Sequence, residues 1–96
     1  MSAVPATSAW RFPAQVDHGS ARQVLAAAQS AQSGAERVYD LSDCERFDSS
    51  LIAVLLEILR EAQAAGATAR FEGCGERLAK LVGLYGVEQL LFGEDS

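Results

Sequence analysis

The sequence predicts a single α/β domain on a small, mostly parallel sheet, and three observations lead there. Short β-rich runs alternate along the chain with segments of helical periodicity. Strands that alternate with helices are joined by right-handed crossovers, which lay neighbouring strands parallel. The length of 96 residues accommodates one domain, and a hydrophobic content of 49% supplies one core. A domain this short buries only a little over ~60% of its unfolded surface, so its stability margin is modest.

The elements follow in order. Residues 1–9 are rich in Ser, Ala and Pro and read as a flexible start, with the domain proper expected over 10–93. Trp10-Arg11-Phe12 alternates in polarity and predicts a short edge strand, because Pro13 cannot donate to a ladder. Ser20-Ala21-Arg22-Gln23 is a capping-box pattern. It opens a helix with Ala21, Val24, Leu25 and Ala28 on one face and Gly34 as its expected stop. Arg37 to Leu41 is a buried strand. Asp48 is placed to cap a second helix that runs to about Ala65 and ends at Gly66. Ala67, Ala69 and Phe71 alternate with polar neighbours, the period-2 signal of a half-exposed strand. Leu78, Leu81, Val82 and Tyr85 mark a third helix that Gly86 breaks, and Val87 to Phe92 form a last apolar turn or helix.

The second helix carries an unusually wide apolar arc. Leu51, Ile52, Val54, Leu55, Leu56, Ile58, Leu59 and Ala62 spread over roughly 200° at ~100° per residue, twice the ~100° stripe that suffices to dock a helix on a core. Ile52, Leu55, Leu59 and Ala62 lie mid-arc and are expected to face the sheet. Leu51, Val54 and Ile58 then fall on a flank that would face solvent. Two accounts of that flank are open: neighbouring helices of the chain cover it, or a partner protein does.

Charge and chemistry narrow the function classes. A net charge of −5 with eight scattered basic residues gives no nucleic-acid footprint and no polybasic membrane patch. No apolar run approaches the ~18 residues of a membrane span, and the first residues lack a signal-peptide pattern, so a cytoplasmic protein is expected. The two cysteines, Cys44 and Cys74, form no C-x-x-C pair and fit a reducing compartment. The single histidine, His18, sits in a predicted turn without partners at triad or metal-site spacing. Gly73-Cys74-Gly75 lacks the spacing and the Lys-Ser/Thr ending of a phosphate loop. Asp40, Asp43, Glu45 and Asp48 cluster without calcium-loop spacing and read as solvated or capping groups. No catalytic residue, metal or cofactor is expected.

Asp48-Ser49-Ser50 is the segment of most interest. Any of the three can cap the helix they begin. A hydroxyl there is also placed for contact with a partner or for phosphorylation, since backbone N–H groups and the helix dipole tolerate a phosphate.

Val38-Tyr39-Asp40-Leu41-Ser42, Phe47-Asp48-Ser49-Ser50 and Leu55-Leu56 together resemble the core signature of STAS domains, in which a strand ends in Asp-Leu and an Asp-Ser/Thr pair starts a helix. Leu78 to Val87, with its Leu84-Tyr85-Gly86-Val87 ending, is similar to the third helix of the STAS subunit of Mla phospholipid-transport ABC systems. The likeness runs from about Val16 to Phe92. It implies a STAS-like α/β domain with a mostly parallel mixed sheet of three to five strands and three or four helices. The count is open because the family's usual first hairpin is reduced or absent here.

The resemblance further implies a non-catalytic subunit, cytoplasmic and peripheral to the inner membrane through its complex. Its partner would be the ABC transporter's ATPase, whose assembly and activity it supports, with neither nucleic-acid binding nor membrane insertion. Partner contacts are expected at Asp48, Ser49, Ser50, Leu51, Val54, Ile58 and Tyr85. The alternative is an anti-sigma factor antagonist that binds a serine kinase and is switched off by phosphorylation. Ser50 matches the phosphorylated serine of those antagonists, and Ser49 the hydroxyl residue at the ATPase contact. Leu51 departs from the antagonist pattern, which has glycine there, and a kinase docked on the helix start would meet its side chain.

Overall fold

The computed structural model describes residues 9–87, 90 and 91. In chain order they form β1 (Trp10–Arg11), β2 (Gln15–Val16), α1 (Ala21–Ala31), β3 (Glu36–Asp40), β4 (Arg46–Phe47), α2 (Ser50–Ala64), β5 (Thr68–Glu72) and α3 (Glu76–Tyr85). β1, β3, β5 and the three helices alternate as the sequence predicts, while β2 and β4 are additional and form a second small sheet in place of the single mixed sheet expected. The flexible start lies, except for Ala9, outside the described residues. Of the last apolar turn, Glu88, Gln89 and Phe92 also lie outside them, while Leu90 and Leu91 are helical, with the Leu91 N–H on the Val87 carbonyl at 3.0 Å.

The strands divide between two parallel sheets, one of three strands in the order β1-β3-β5 and one of two, β2-β4. The edge position of β1 agrees with the proline that follows it. Trp10 registers with Tyr39, and Tyr39 with Phe71, so aromatic rings line up across the sheet. Phe12 and Tyr39 have ring centroids 6.4 Å apart, and Tyr39 and Phe71 5.5 Å apart. Cross-strand aromatic pairs of this kind add to what burial alone contributes.

α1 packs on α2, and α2 on β5. Both helix ends next to the sheet are resolved by backbone chemistry. After α2, Gly66 takes a left-handed φ of 73°, which lets the Ala67 N–H reach the Ala62 carbonyl at 2.8 Å. α1 behaves differently from its expected stop at Gly34: it ends at Ala31, and Gln32 is already extended. Gly34 instead lies in the bend that leads into β3, where its carbonyl accepts the Arg37 Nε–H at 2.8 Å.

One close approach holds the strand exits together. Gly73, just after β5, has φ 75°, and a Cβ there would come within 2.7 Å of the Ser42 backbone nitrogen. Only glycine fits this crossing of the two chain segments.

Candidate functional site

The site is assembled by the small sheet that sequence periodicity does not reveal. β2 and β4 are two residues each, too short to show an alternation. Their ladder is continued by the Ala14 carbonyl, which accepts the N–H groups of Glu45 and Arg46 at 3.0 Å, and by the Asp48 N–H on the Val16 carbonyl at 3.3 Å. The pairing brings the turn that begins α1 beside the turn that begins α2.

Asp48 then fastens the two turns. Its Oδ1 accepts the Ser50 N–H at 2.9 Å and the Ser50 hydroxyl, while Oδ2 accepts the His18 N–H at 3.1 Å. One carboxylate thus ties the first residue of α2 to the turn that precedes α1. The Ser50 hydroxyl, then the Ser50 N–H, and more weakly His18 hold the Asp48 pKa below the ordinary carboxylate value. Asp17 is arranged similarly: its Oδ1 accepts the Gly19 and Ser20 N–H groups at 3.0 and 3.1 Å. Its pKa is also lowered, chiefly by the Gln15 side-chain amide. The capping box expected at Ser20 does not form, because the Ser20 hydroxyl accepts the Asp17 N–H at 3.1 Å rather than an N–H of α1. The Asp17 carboxylate orders the turn before α1 instead, and its backbone carbonyl accepts the Ala21 N–H at 2.9 Å.

Between Asp48 and Ser50, Ser49 is the N-cap residue of α2, and it is exposed. Its carbonyl accepts the Ile52 N–H at 3.0 Å, but its hydroxyl makes no hydrogen bond with any described residue. Ser50 is half-buried and engaged with Asp48. The three residues of the motif therefore differ: Asp48 positions, Ser50 is held, and Ser49 is presented to solvent.

The apolar contacts expected at Leu51, Val54 and Ile58 require correction. These side chains are 0%, 3% and 2% exposed and belong to the main hydrophobic cluster with Val24 and Ala28 of α1. At ~100° per residue the buried face of α2 spans roughly 160°, from Val54 through Ile58, Leu51, Ala62 and Leu55 to Ile52, so the supposed flank is buried together with three of the four residues expected to face the sheet. Leu59, the fourth, is half-buried, and so is Leu56 beyond Ile52. The reason is that α2 packs against α1 as well as the sheet, and the wide arc serves both neighbours. The chain itself covers this flank.

A shallow groove of about 540 Å³ runs between α1 and α2 beside Ser50. His18, Arg22 and Leu25 border it from one side, and Ala53 and Glu57 from the other. Sequence reasoning missed it because the two walls are joined by a contact between residues 30 positions apart.

A family model described as "Mlab, STAS domain" matches residues 12–92. The chain belongs to the STAS domain family. The match is of the MlaB type, and the α/β architecture agrees with that fold. No curated protein matches the chain. STAS domains are generally non-catalytic.

Elsewhere in this STAS domain the remaining candidates separate. Tyr85 is exposed at the end of α3, next to Leu84, away from any bond to the Asp48 segment. Asp40 holds the Ser42 N–H and hydroxyl at 2.8 and 2.7 Å, and the Ser42 hydroxyl is the main cause of its lowered pKa. Asp43 pairs with Arg11 at 3.4 Å. The Glu45 carbonyl accepts an Arg77 N–H at 2.7 Å, while the Arg77 guanidinium lies over the Phe47 ring, 5.1 Å from its centroid. Cys44 is buried and Cys74 half-buried, and burial raises both thiol pKa values, which keeps them protonated and weakly nucleophilic. Among the described residues no cluster of three or more His, Cys, Asp or Glu could hold a metal, and no helix is long and apolar enough to cross a membrane.

Proposed function

We propose that this STAS domain is a non-catalytic accessory subunit that binds the ATPase of a phospholipid-transport ABC complex. It supports that complex's assembly and activity from the cytoplasmic side, peripheral to the inner membrane. The reading rests on the MlaB-type family match together with one structural observation: the exposed Ser49 hydroxyl, without a hydrogen bond among the described residues, stands at the start of α2 beside Asp48, whose carboxylate holds Ser50 and His18. A loop that served only to cap α2 would need no second attachment to the turn before α1. Asp48, Ser49, Ser50 and His18 make the surface there polar, suited to a docking partner with polar groups of its own. With Leu51, Val54 and Ile58 buried, the contact is drawn by Asp48, Ser49 and Ser50 and not by an apolar flank.

The test is co-purification. A tagged chain expressed in its native cell should retain an ABC ATPase and its permease through washing. Failure to retain either would remove this reading.

A second reading gains from the burial of Leu51. Since that side chain is 0% exposed, it raises no obstacle to a kinase docked flat on the helix start. Regulation as an anti-sigma factor antagonist would then act through a phosphate on Ser50 or Ser49. Intact-mass measurement after incubation with the cell's serine kinases separates the two readings, because an unmodified mass excludes the switch.

A further inference from the structure

β4 is two residues long and has a strand neighbour, β2, on one side only. Their register sets Gln15 against Arg46 and Val16 against Phe47. The Arg46 N–H on the Ala14 carbonyl and the Asp48 N–H on the Val16 carbonyl are the bonds of a parallel ladder. Alternate residues of such a strand turn their backbone groups to opposite sides, so the Glu45 carbonyl points to the edge that faces away from β2.

One side chain meets that edge. Arg77, in the first turn of α3, donates its Nη1–H to the Glu45 carbonyl at 2.7 Å. Its guanidinium carbon stands 5.1 Å from the centroid of the Phe47 ring. A single planar group therefore grips β4 at both ends, by a hydrogen bond just before its first residue and a cation–π contact at its last. Elsewhere the same edge borders a hollow of about 390 Å³, with Leu41, Cys44 and Leu78 also in its lining. Sheet edges are commonly covered by a helix or a loop, and here an arginine from the next helix covers one. Asp48, which holds both His18 and Ser50, is the next residue after β4.

We infer that Arg77 is a positioning residue of the Ser49 surface: it holds β4 against β2 and so sets where Asp48 and Ser49 stand. It makes no hydrogen bond to Asp48, Ser49 or Ser50 and acts through Glu45 and Phe47. The inference takes from the reading above only that a partner docks at Ser49. It also calls for arginine and not for any cation. Lysine keeps the charge but lacks the planar fork that bonds a carbonyl while lying on a ring.

The experiment is amide hydrogen exchange of the intact chain, followed by NMR for the parent, Arg77→Ala and Arg77→Lys. Arg77→Ala should speed exchange of the Arg46 and Asp48 N–H groups about fivefold or more, and Arg77→Lys by a smaller factor. The Leu41 N–H, bonded to the Glu72 carbonyl in the larger sheet, should exchange as in the parent. Melting curves should stay close to the parent, because Arg77 is exposed. Parental exchange at Arg46 and Asp48 would overturn the inference, and so would equal acceleration at every amide in both variants. Affinity for the purified ABC ATPase is then read by calorimetry beside Ser49→Arg, and Arg77→Ala should bind about threefold or more weakly than the parent. If Ser49→Arg weakens binding and Arg77→Ala does not, the hold on β4 does not govern docking and the inference falls. If the unmodified chain does not bind the ATPase, the transport reading falls, while the exchange rates still decide whether Arg77 positions Asp48.

Discussion

The flank of α2 and the end of α3 form an instructive pair. Leu51, Val54 and Ile58 lie in an apolar arc too wide for one neighbour, and the chain buries all of them. Leu84 and Tyr85 belong to a helix with an ordinary stripe, and they are 83% and 53% exposed. An apolar residue's exposure is thus decided by how many elements pack on its helix. α2 has both α1 and the sheet as neighbours, whereas α3 buries only Leu78 and Val82 along its length. A broad hydrophobic arc marks a central helix before it marks a binding face.

The largest effect that tests this comparison is expected at Leu51. Leu51→Ala should cost about 2–5 kcal/mol in urea unfolding, the usual range for emptying a fully packed leucine site. A variant that unfolded like the parent would mean that Leu51 is not core, and would restore it to the surface. Next comes Gly73→Ala. Its Cβ would meet the Ser42 nitrogen while the backbone keeps a left-handed φ, so a loss of about 1–3 kcal/mol is expected. An unchanged midpoint would show that the two strand exits are free to separate.

A smaller effect should appear with pH. The folded-state pKa values of Asp48 and Asp17 are lowered, so their contribution is complete above the ordinary aspartate value of about 3.9. It is lost as pH falls through the lower folded-state values. Asp48→Asn should therefore melt lower than the parent at neutral pH, and the gap should narrow in acid. A gap constant down to the acid limb would rule out the carboxylate as the fastening group. Smallest of all, Leu84→Ser should leave the unfolding midpoint within about 0.5 kcal/mol of the parent, as expected for an exposed position.

Much of the architecture was legible before any coordinates. The alternation in Ala67 to Phe71, the spacing of Leu78, Leu81, Val82 and Tyr85, and the glycine after α2 all encode local periodicity or a helix end. The signature residues Asp48-Ser49-Ser50 stood out by their place at a helix start. What escaped was relational. β2 and β4 exist only through each other, because two residues show no period. The burial of the α2 flank depends on α1, since a helical wheel shows the width of an arc and not how many neighbours meet it. The link from His18 to Asp48 joins turns distant in the chain, and with it went the groove that their approach creates.

Ser49 offers the most direct test of the whole account, because its side chain is exposed and its hydroxyl makes no hydrogen bond among the described residues. The measurement is the affinity of Ser49→Arg for the ABC ATPase, taken beside its melting curve. The account expects affinity to fall by about tenfold or more, equivalent to ~1.4 kcal/mol, with the melting temperature unchanged. Unaltered affinity in a normally folded variant would contradict it, and so would a loss of binding matched by an equal loss of fold, which would reduce Ser49 to a helix cap.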